Sequence, residues 1–198
     1  MNVDVKTHYD LLIEENNDPV YDSVELKNYM DKFDGDCFER ALLPLEEKTV
    51  LEIGVGTGRL AKIYAPIAYK FVGIDFSQKT IERAKENLKE QANILFVCDD
   101  FLNYQFGETF DVIYSSLTMM HFRQKKQVVA KVDTLLNKGG IFCLSIDKNQ
   151  SEYIDMGTRK VRVYPDTLEN TQLLIQTTAM SVSMVLETDN AYIIVSKK

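Results

Sequence analysis

The spacing of apolar residues changes character near residue 48. Ahead of that point it is helical. HYDLLIEENN reads as a short helix that stops before Pro19, and SVELKNYMDKF and DCFERALL repeat apolar residues at mixed three- and four-residue intervals. Pro44 and the charged run Glu46-Glu47-Lys48 close the stretch, which predicts a helical preface or lid over 1–48 and a main domain over 49–198. Beyond Lys48 short apolar runs alternate with helical patterns. TVLEIGV, KFVGIDF, ILFVCDD, FDVIYSS and GIFCLSID have the length and β-branched content of buried strands. Between them, GRLAKIYA reads as a helix halted by Pro66. SQKTIERAKENLKEQ reads as a helix capped by Ser77, with Ile81, Ala84 and Leu88 on one stripe. RQKKQVVAKVDTLLN reads as a helix closed by the Gly139-Gly140 turn.

Strands that alternate with helices require right-handed crossovers, hence a parallel sheet covered on both faces. The last segment breaks the alternation. After a helix at DTLENTQLLIQTTA, the strands SVSMVLE and AYIIVS are separated by Thr188, Asp189 and Asn190 alone. A link that short makes an antiparallel hairpin and no crossover. The expected fold is therefore α/β: a doubly wound, mostly parallel seven-stranded sheet with one antiparallel strand near an edge. Residues 148–165 form a long basic connection, read either as a substrate-side flap or as an extended surface loop.

Composition narrows the function classes. The chain has 198 residues, 45% of them hydrophobic and 27% charged, which suits one folded domain. No apolar run approaches the ~18 residues of a membrane helix, and MNVDVKTHYD lacks the features of a signal peptide. Cys37, Cys98 and Cys143 are odd in number and far apart, as expected of free thiols in a reducing cytoplasm and not of a metal site. Net charge is −7, and residues 1–50 alone contribute 5 Lys/Arg against 13 Asp/Glu. Such an acidic segment speaks against nucleic acid or an anionic membrane as partner. The oligomeric state is not legible.

The chemistry gathers at the strand ends. Three of the nine glycines, Gly54, Gly56 and Gly58, fall within five positions between a strand and a helix, where backbone freedom lets a ligand approach closely. The spacing is G-x-G-x-G with Arg59 next, so the G-x-G-x-x-G dinucleotide fingerprint fails, and no P-loop motif occurs. Glu52 precedes the turn by two residues, where a carboxylate is unfavourable beside a pyrophosphate but suits a cationic amino group. Asp75, at the end of the next strand, can hold both hydroxyls of a ribose. Asp99 and Asp100 end the third strand, where a carboxylate can accept from an adenine amino group. A crevice lined with these acids attracts an adenosyl ligand bearing positive charge and repels a dinucleotide.

These residues resemble the class I S-adenosylmethionine-dependent methyltransferases of the small single-domain type. Val50–Leu60 is similar to that family's first motif, Val72–Ser77 to its second strand, Phe96–Phe101 to its adenine-binding stretch, FDVIYSSLTMMH to its fourth-strand motif and LLNKGGIFCLS to its fifth. The resemblance covers about residues 48–147 and implies the strand order 3-2-1-4-5-7-6. It implies S-adenosyl-L-methionine as cofactor, held by Glu52, Gly54, Val55, Gly56, Gly58, Asp75, Phe76, Asp100, Phe101 and Ser116. Asp99 stands where many members carry glycine, which leaves both aspartates as candidates for the adenine. His121 follows the fourth strand at the substrate rim, as a base or as a structural histidine, and Tyr9 and Tyr21 are candidates to close over the site. Asn-Pro-Pro-Tyr and Asp-Pro-Pro-Tyr, expected of nucleic-acid methylases, are absent. The expected activity is methyl transfer to a small molecule. The alternatives are a non-catalytic adenosyl-binding partner subunit and an NAD-dependent oxidoreductase.

Overall fold

The computed structural model of the protein describes residues 1–198. The preface contains strand β1 (Asn2–Val3), helix α1 (Val5–Glu14), a 3₁₀ turn at Pro19–Tyr21, α2 (Val24–Met30) and α3 (Gly35–Leu42). The alternating part follows as β2 (Thr49–Ile53), α4 (Ala61–Tyr64), β3 (Lys70–Asp75), α5 (Gln78–Asn87), β4 (Ile94–Cys98) and β5 (Phe110–Ser116). After a 3₁₀ turn at Met119–His121 come α6 (Lys125–Leu135) and β6 (Leu136–Asp147). The small strands β7 (Tyr153–Asp155) and β8 (Lys160–Arg162) precede α7 (Leu168–Gln176), and the hairpin β9 (Ser181–Glu187) and β10 (Ala191–Lys197) ends the described chain.

Seven strands form one sheet in the order β4-β3-β2-β5-β6-β10-β9. β10 alone runs antiparallel to its neighbours, one place in from the edge, as the three-residue link between β9 and β10 requires. The chain leaves β2 outward through β3 and β4, then returns to the other side at β5. The crevice at this reversal lies beyond the C-terminal ends of β2 and β5, where open α/β sheets bind ligands.

Period-two alternation divides the core between the two faces of the sheet. Leu51, Ile53, Val72 and Ile74 pack with Val128 and Val132 of α6 and Ile175 of α7. Val50, Phe71, Val112 and Tyr114 pack on the opposite face with Phe38 and Leu42 of α3, Tyr64 of α4 and Ile81 of α5. The segment 1–48 is therefore not one cap. Helix α3 is a core element of the sheet's second face, whereas α1 lies against α5 and carries Tyr9 to the crevice.

Three local expectations change. The helix read over GRLAKIYA is a single turn, Ala61–Tyr64, because the glycine turn extends into it and Leu60 offers no side-chain cap. The Gly139-Gly140 pair does not end α6, since β6 starts at Leu136 and the glycines form a bulge inside it. The β5–β6 register jumps there from Phe110↔Leu136 to Val112↔Ile141. A Cβ on Gly140 would lie 3.0 Å from the Asp111 carbonyl oxygen, which excludes larger residues. The connection 148–165 is not a simple loop, because β7 and β8 pair as a hairpin and β1 adds to β8 in parallel, making a three-stranded sheet.

Gly58 also has a different task from the one expected. It is absent from the crevice wall, has φ +94°, and faces α5 so closely that a Cβ would sit 2.3 Å from Leu88 Cδ1. It fits the turn against a helix and does not line the cavity. Gly58→Ala is expected to cost about 1–3 kcal/mol through backbone strain and overpacking. A lowered urea midpoint with an unchanged slope is the check, and an unchanged midpoint would contradict the packing role.

Candidate functional site

The glycine turn is clamped to the neighbouring strand. The N–H groups of Gly54 and Val55 both donate to the Ile74 carbonyl, at 2.9 and 3.1 Å. The Gly56 N–H donates to Asp75 Oδ2 at 3.1 Å, and Ser77 N–H donates to Asp75 Oδ1 at 3.0 Å. Gly54 has φ +77°, and a Cβ there would lie 2.2 Å from Thr118 Oγ1, so glycine is obligatory. The turn opens onto a cavity of about 470 Å³, whose wall takes in residues from β2, β3, β5, α1 and the turn after β4.

Glu52 and Asp75 stand on adjacent strands at the mouth of this cavity. Glu52 is buried, and its one hydrogen-bonding partner is the Tyr114 hydroxyl, which donates to Oε2 at 2.9 Å. Burial pushes the Glu52 carboxyl up to about 8, against the lowering effect of Tyr114 and Arg59. Tyr114 is held in place by edge-on contacts with Phe38, Tyr64 and Phe71. Asp75 is likewise raised by burial, opposed by its backbone hydrogen bonds to Ser77 and Gly56.

Asp34 and Arg59 complete this end, and neither was singled out in the sequence. Arg59 Nη1 donates to Asp34 Oδ1 at 3.2 Å, Nη2 pairs with Oδ2, and Ser116 Oγ donates to Oδ2 at 2.8 Å. Arg59 directly follows the glycines, a signal that could have been used. Asp34 lies far away in sequence and reaches the site only because α3 packs on the sheet. Ser116 lines the cavity, but its hydroxyl is engaged by Asp34.

At the other end Phe76, Asp99, Asp100, Phe101 and Leu102 line the wall. Asp99 Oδ1 accepts from Asp100 N–H, and Asp100 Oδ1 accepts from Leu102 N–H, both at 2.7 Å. Both carboxylates are exposed at the cavity, so the two candidates stay equivalent in geometry.

The structure brings Tyr9 and His121 together. Tyr9 reaches in from α1, and its hydroxyl lies 2.9 Å from His121 Nε2, with the rings edge to face. His121 Nδ1 is sealed from solvent and has no partner. Burial pushes the His121 imidazole down to about 4, so the ring is neutral. Tyr21 does not join them. It is 70% exposed beneath the Lys62 ammonium, 5.4 Å from its ring centroid, and Pro19 and Met30 line the cavity instead. The reason is the 3₁₀ turn, whose roughly three residues per turn point Tyr21 away from Pro19. Its start is anchored by Asp18, which caps Val20 and accepts from Arg83 and Asn87.

The hairpin β7–β8 adjoins this region. Arg159, between its strands, is 5% exposed. Its Nε donates to His8 Nδ1 at 3.0 Å, and its two terminal nitrogens pair with Glu15 at 2.6 and 2.8 Å. A second cavity of about 310 Å³ lies under the hairpin and shares Leu117 and Met120 with the first. Leu117 has φ +53°, a strained backbone for a branched residue, at the wall common to both. Nowhere do three or more His, Cys, Asp or Glu side chains converge as ligands of a metal would. No helix is long and apolar enough to cross a membrane.

Comparison with known proteins identifies the family. Residues 50–140 match the family model described as a methyltransferase domain. An uncharacterized methyltransferase of Anoxybacillus flavithermus is 32% identical over 171 residues, covering 82% of this chain and 78% of that protein. A malonyl-[acyl-carrier protein] O-methyltransferase of Bacillus anthracis is 34% identical over 100 residues, which span 48% of this chain and only 36% of that enzyme. Among solved structures, magnesium protoporphyrin IX methyltransferase of Synechocystis PCC 6803, with bound S-adenosylmethionine, superposes with a TM-score of 0.77 at 14% identity, covering 98% of this chain and 95% of that one. The relative matched along most of both chains, the matched domain and the fold shared with the solved structure place the protein in one group: it belongs to the class I S-adenosylmethionine-dependent methyltransferase family.

Proposed function

We propose that the protein transfers the methyl group of S-adenosyl-L-methionine to a small-molecule acceptor, and that the cavity at the glycine turn is where the two meet. The observation that carries this reading is the pair of carboxylates on adjacent strands either side of the turn, Glu52 buried and Asp75 half-buried. Glu52 has one partner and faces a cavity, an arrangement that is unfavourable for a buried acid unless a cation completes it. An α-amino group would do so. Asp75, oriented by two backbone N–H groups, keeps lone pairs for the two ribose hydroxyls.

Gly54, Val55 and Gly56 would lie along the amino-acid part of the ligand, with Arg59 near its carboxylate. Phe76, Phe101 and either Asp99 or Asp100 would enclose and hydrogen-bond the adenine. Ser116 acts through Asp34, orienting Arg59. When bound, S-adenosyl-L-methionine supplies a methyl group activated by the sulfonium charge. The chain's own residues then need only align the acceptor with it and exclude water, the usual demands of an in-line displacement. Helix α1 serves the second need, since Tyr9 and Val5 form part of the cavity wall. Tyr9 and His121 mark the acceptor side.

Two measurements test the reading. Asp75→Ala is expected to weaken S-adenosylmethionine binding by roughly 10- to 100-fold, the loss of hydrogen bonds to a charged group, in titration calorimetry. Unchanged affinity would refute the site. Affinity is also expected to depend on pH in a direction set by Glu52. Its carboxyl holds a proton up to about pH 8 in the free protein and must release it to pair with the ammonium group. Binding therefore weakens as pH falls from 8 to 6, by at most about tenfold per unit. 5′-Methylthioadenosine, which has no α-amino group, should show no such trend.

A further inference from the structure

The Tyr9–His121 pair is a donor array and offers no base. His121 has two ring nitrogens, and one carries the hydrogen. Nδ1 is buried with no partner, and a buried N–H without an acceptor is a rarer and costlier defect than an unused lone pair. The hydrogen therefore sits on Nε2 and is donated to the Tyr9 oxygen 2.9 Å away. That bond occupies a lone pair of the Tyr9 oxygen and frees the tyrosine's own hydrogen. The Tyr9 hydroxyl has no other partner and borders the cavity, so its hydrogen points to whatever occupies the acceptor side.

The rest of that side contains nothing able to take a proton. Leu117, Met120 and Phe122 are apolar, and Gln124 is an amide. Of the groups facing the pair, His8 is engaged by Arg159, Lys125 is paired with Asp166, and the lone pairs that Asp75 keeps beyond its backbone donors are those assigned above to the ribose hydroxyls. Burial keeps His121 neutral well below pH 6. An acceptor atom that must lose a proton during attack, such as a hydroxyl or an ammonium group, would find no base.

We infer that the acceptor is a carboxylate on an apolar body, with one oxygen attacking the methyl group while the Tyr9 hydroxyl, oriented by His121, donates to the other. This rests on the methyltransferase reading above. In the step the sulfur–methyl bond breaks and an oxygen–methyl bond forms. The electron pair of the broken bond returns to sulfur, the carboxylate's negative charge and the sulfonium's positive charge cancel, and no proton moves. The product is a methyl ester. Tyr9 touches the acceptor, and His121 is a positioning residue.

The test uses the full chain and three probes that share an alkyl body, octanoate, octylamine and octanol, with transfer followed from labelled S-adenosylmethionine. Transfer to octanoate alone is expected, at a rate flat from pH 6 to 9 when S-adenosylmethionine is saturating at each pH. Tyr9→Phe should lower kcat/KM for octanoate and weaken octanoate binding to the S-adenosylhomocysteine complex, each by about 10- to 100-fold, with cofactor affinity unchanged. His121→Phe should lose activity similarly, whereas His121→Gln, which keeps an N–H at that end, should recover most of it. A catalytic base would give the opposite result with Gln. The ¹⁵N spectrum of the two-histidine chain should show His121 protonated at Nε2, assigned by difference from His121→Gln. Transfer to octylamine or octanol, transfer to none of the three while the cofactor binds, or a proton on Nδ1 would overturn the inference and leave the methyltransferase reading intact. Failure of the wild-type protein to bind S-adenosylmethionine would overturn both.

Discussion

The structure depends on how the turn after β2 is fastened to β3. Two successive N–H groups converge on the Ile74 carbonyl and a third reaches the Asp75 carboxylate, so the turn is an extension of the strand pairing and not a free loop. This fastening requires glycine at Gly54, where the Thr118 side chain leaves no room for a Cβ, and at Gly73 of β3, where a Cβ would press on Val55 at 2.8 Å. It also fixes the distance between Glu52 and Asp75, because both belong to elements in one hydrogen-bonded register. A ligand that binds here meets preset groups and bears little of the entropy cost of ordering them.

The second constraint is electrostatic. Burying several acids around one cavity is unfavourable unless each is compensated. The protein compensates them unequally. Asp34 has Arg59 and Ser116, and Asp75 has two backbone donors. Glu52 has only a phenol. The least compensated acid is thus placed where a cationic ligand group would be worth most.

Much of this was legible in the sequence, for identifiable reasons. Parallel strands buried on both faces appear as short apolar runs, so β2 to β6 and the closing hairpin were located by pattern alone, and the strand order followed from the resemblance. Glu52 and Asp75 were legible because strand ends in such sheets face the crevice. Asp34 was not, since its role arises from the packing of α3. Gly58 was misread because a glycine that accommodates a helix and one that accommodates a ligand look alike in sequence. The hairpin β7–β8 escaped notice because strands of three residues have too little alternation to stand out, and because its third strand is supplied by Asn2 and Val3. Tyr21 was misassigned because nothing in the composition of a short 3₁₀ turn says which side chain points inward.

The latch between α1 and the hairpin has a consequence for how the molecule is assembled. His8 and Arg159 are 151 residues apart in sequence, and Glu15 and Arg159 are 144 apart. During synthesis α1 emerges first, yet the arginine that secures it is made only after most of the sheet. An emerging chain therefore builds its glycine turn and carboxylates with the roof unlatched. Helix α1 has earlier partners on α5, where Ser77 donates to Asp10 and Lys79 pairs with Glu14, so it can lie on the sheet before the hairpin arrives. The contacts to Arg159 are of much longer range and slow to form, so the latch, and not the helix itself, is expected to be the last part of the roof to become native.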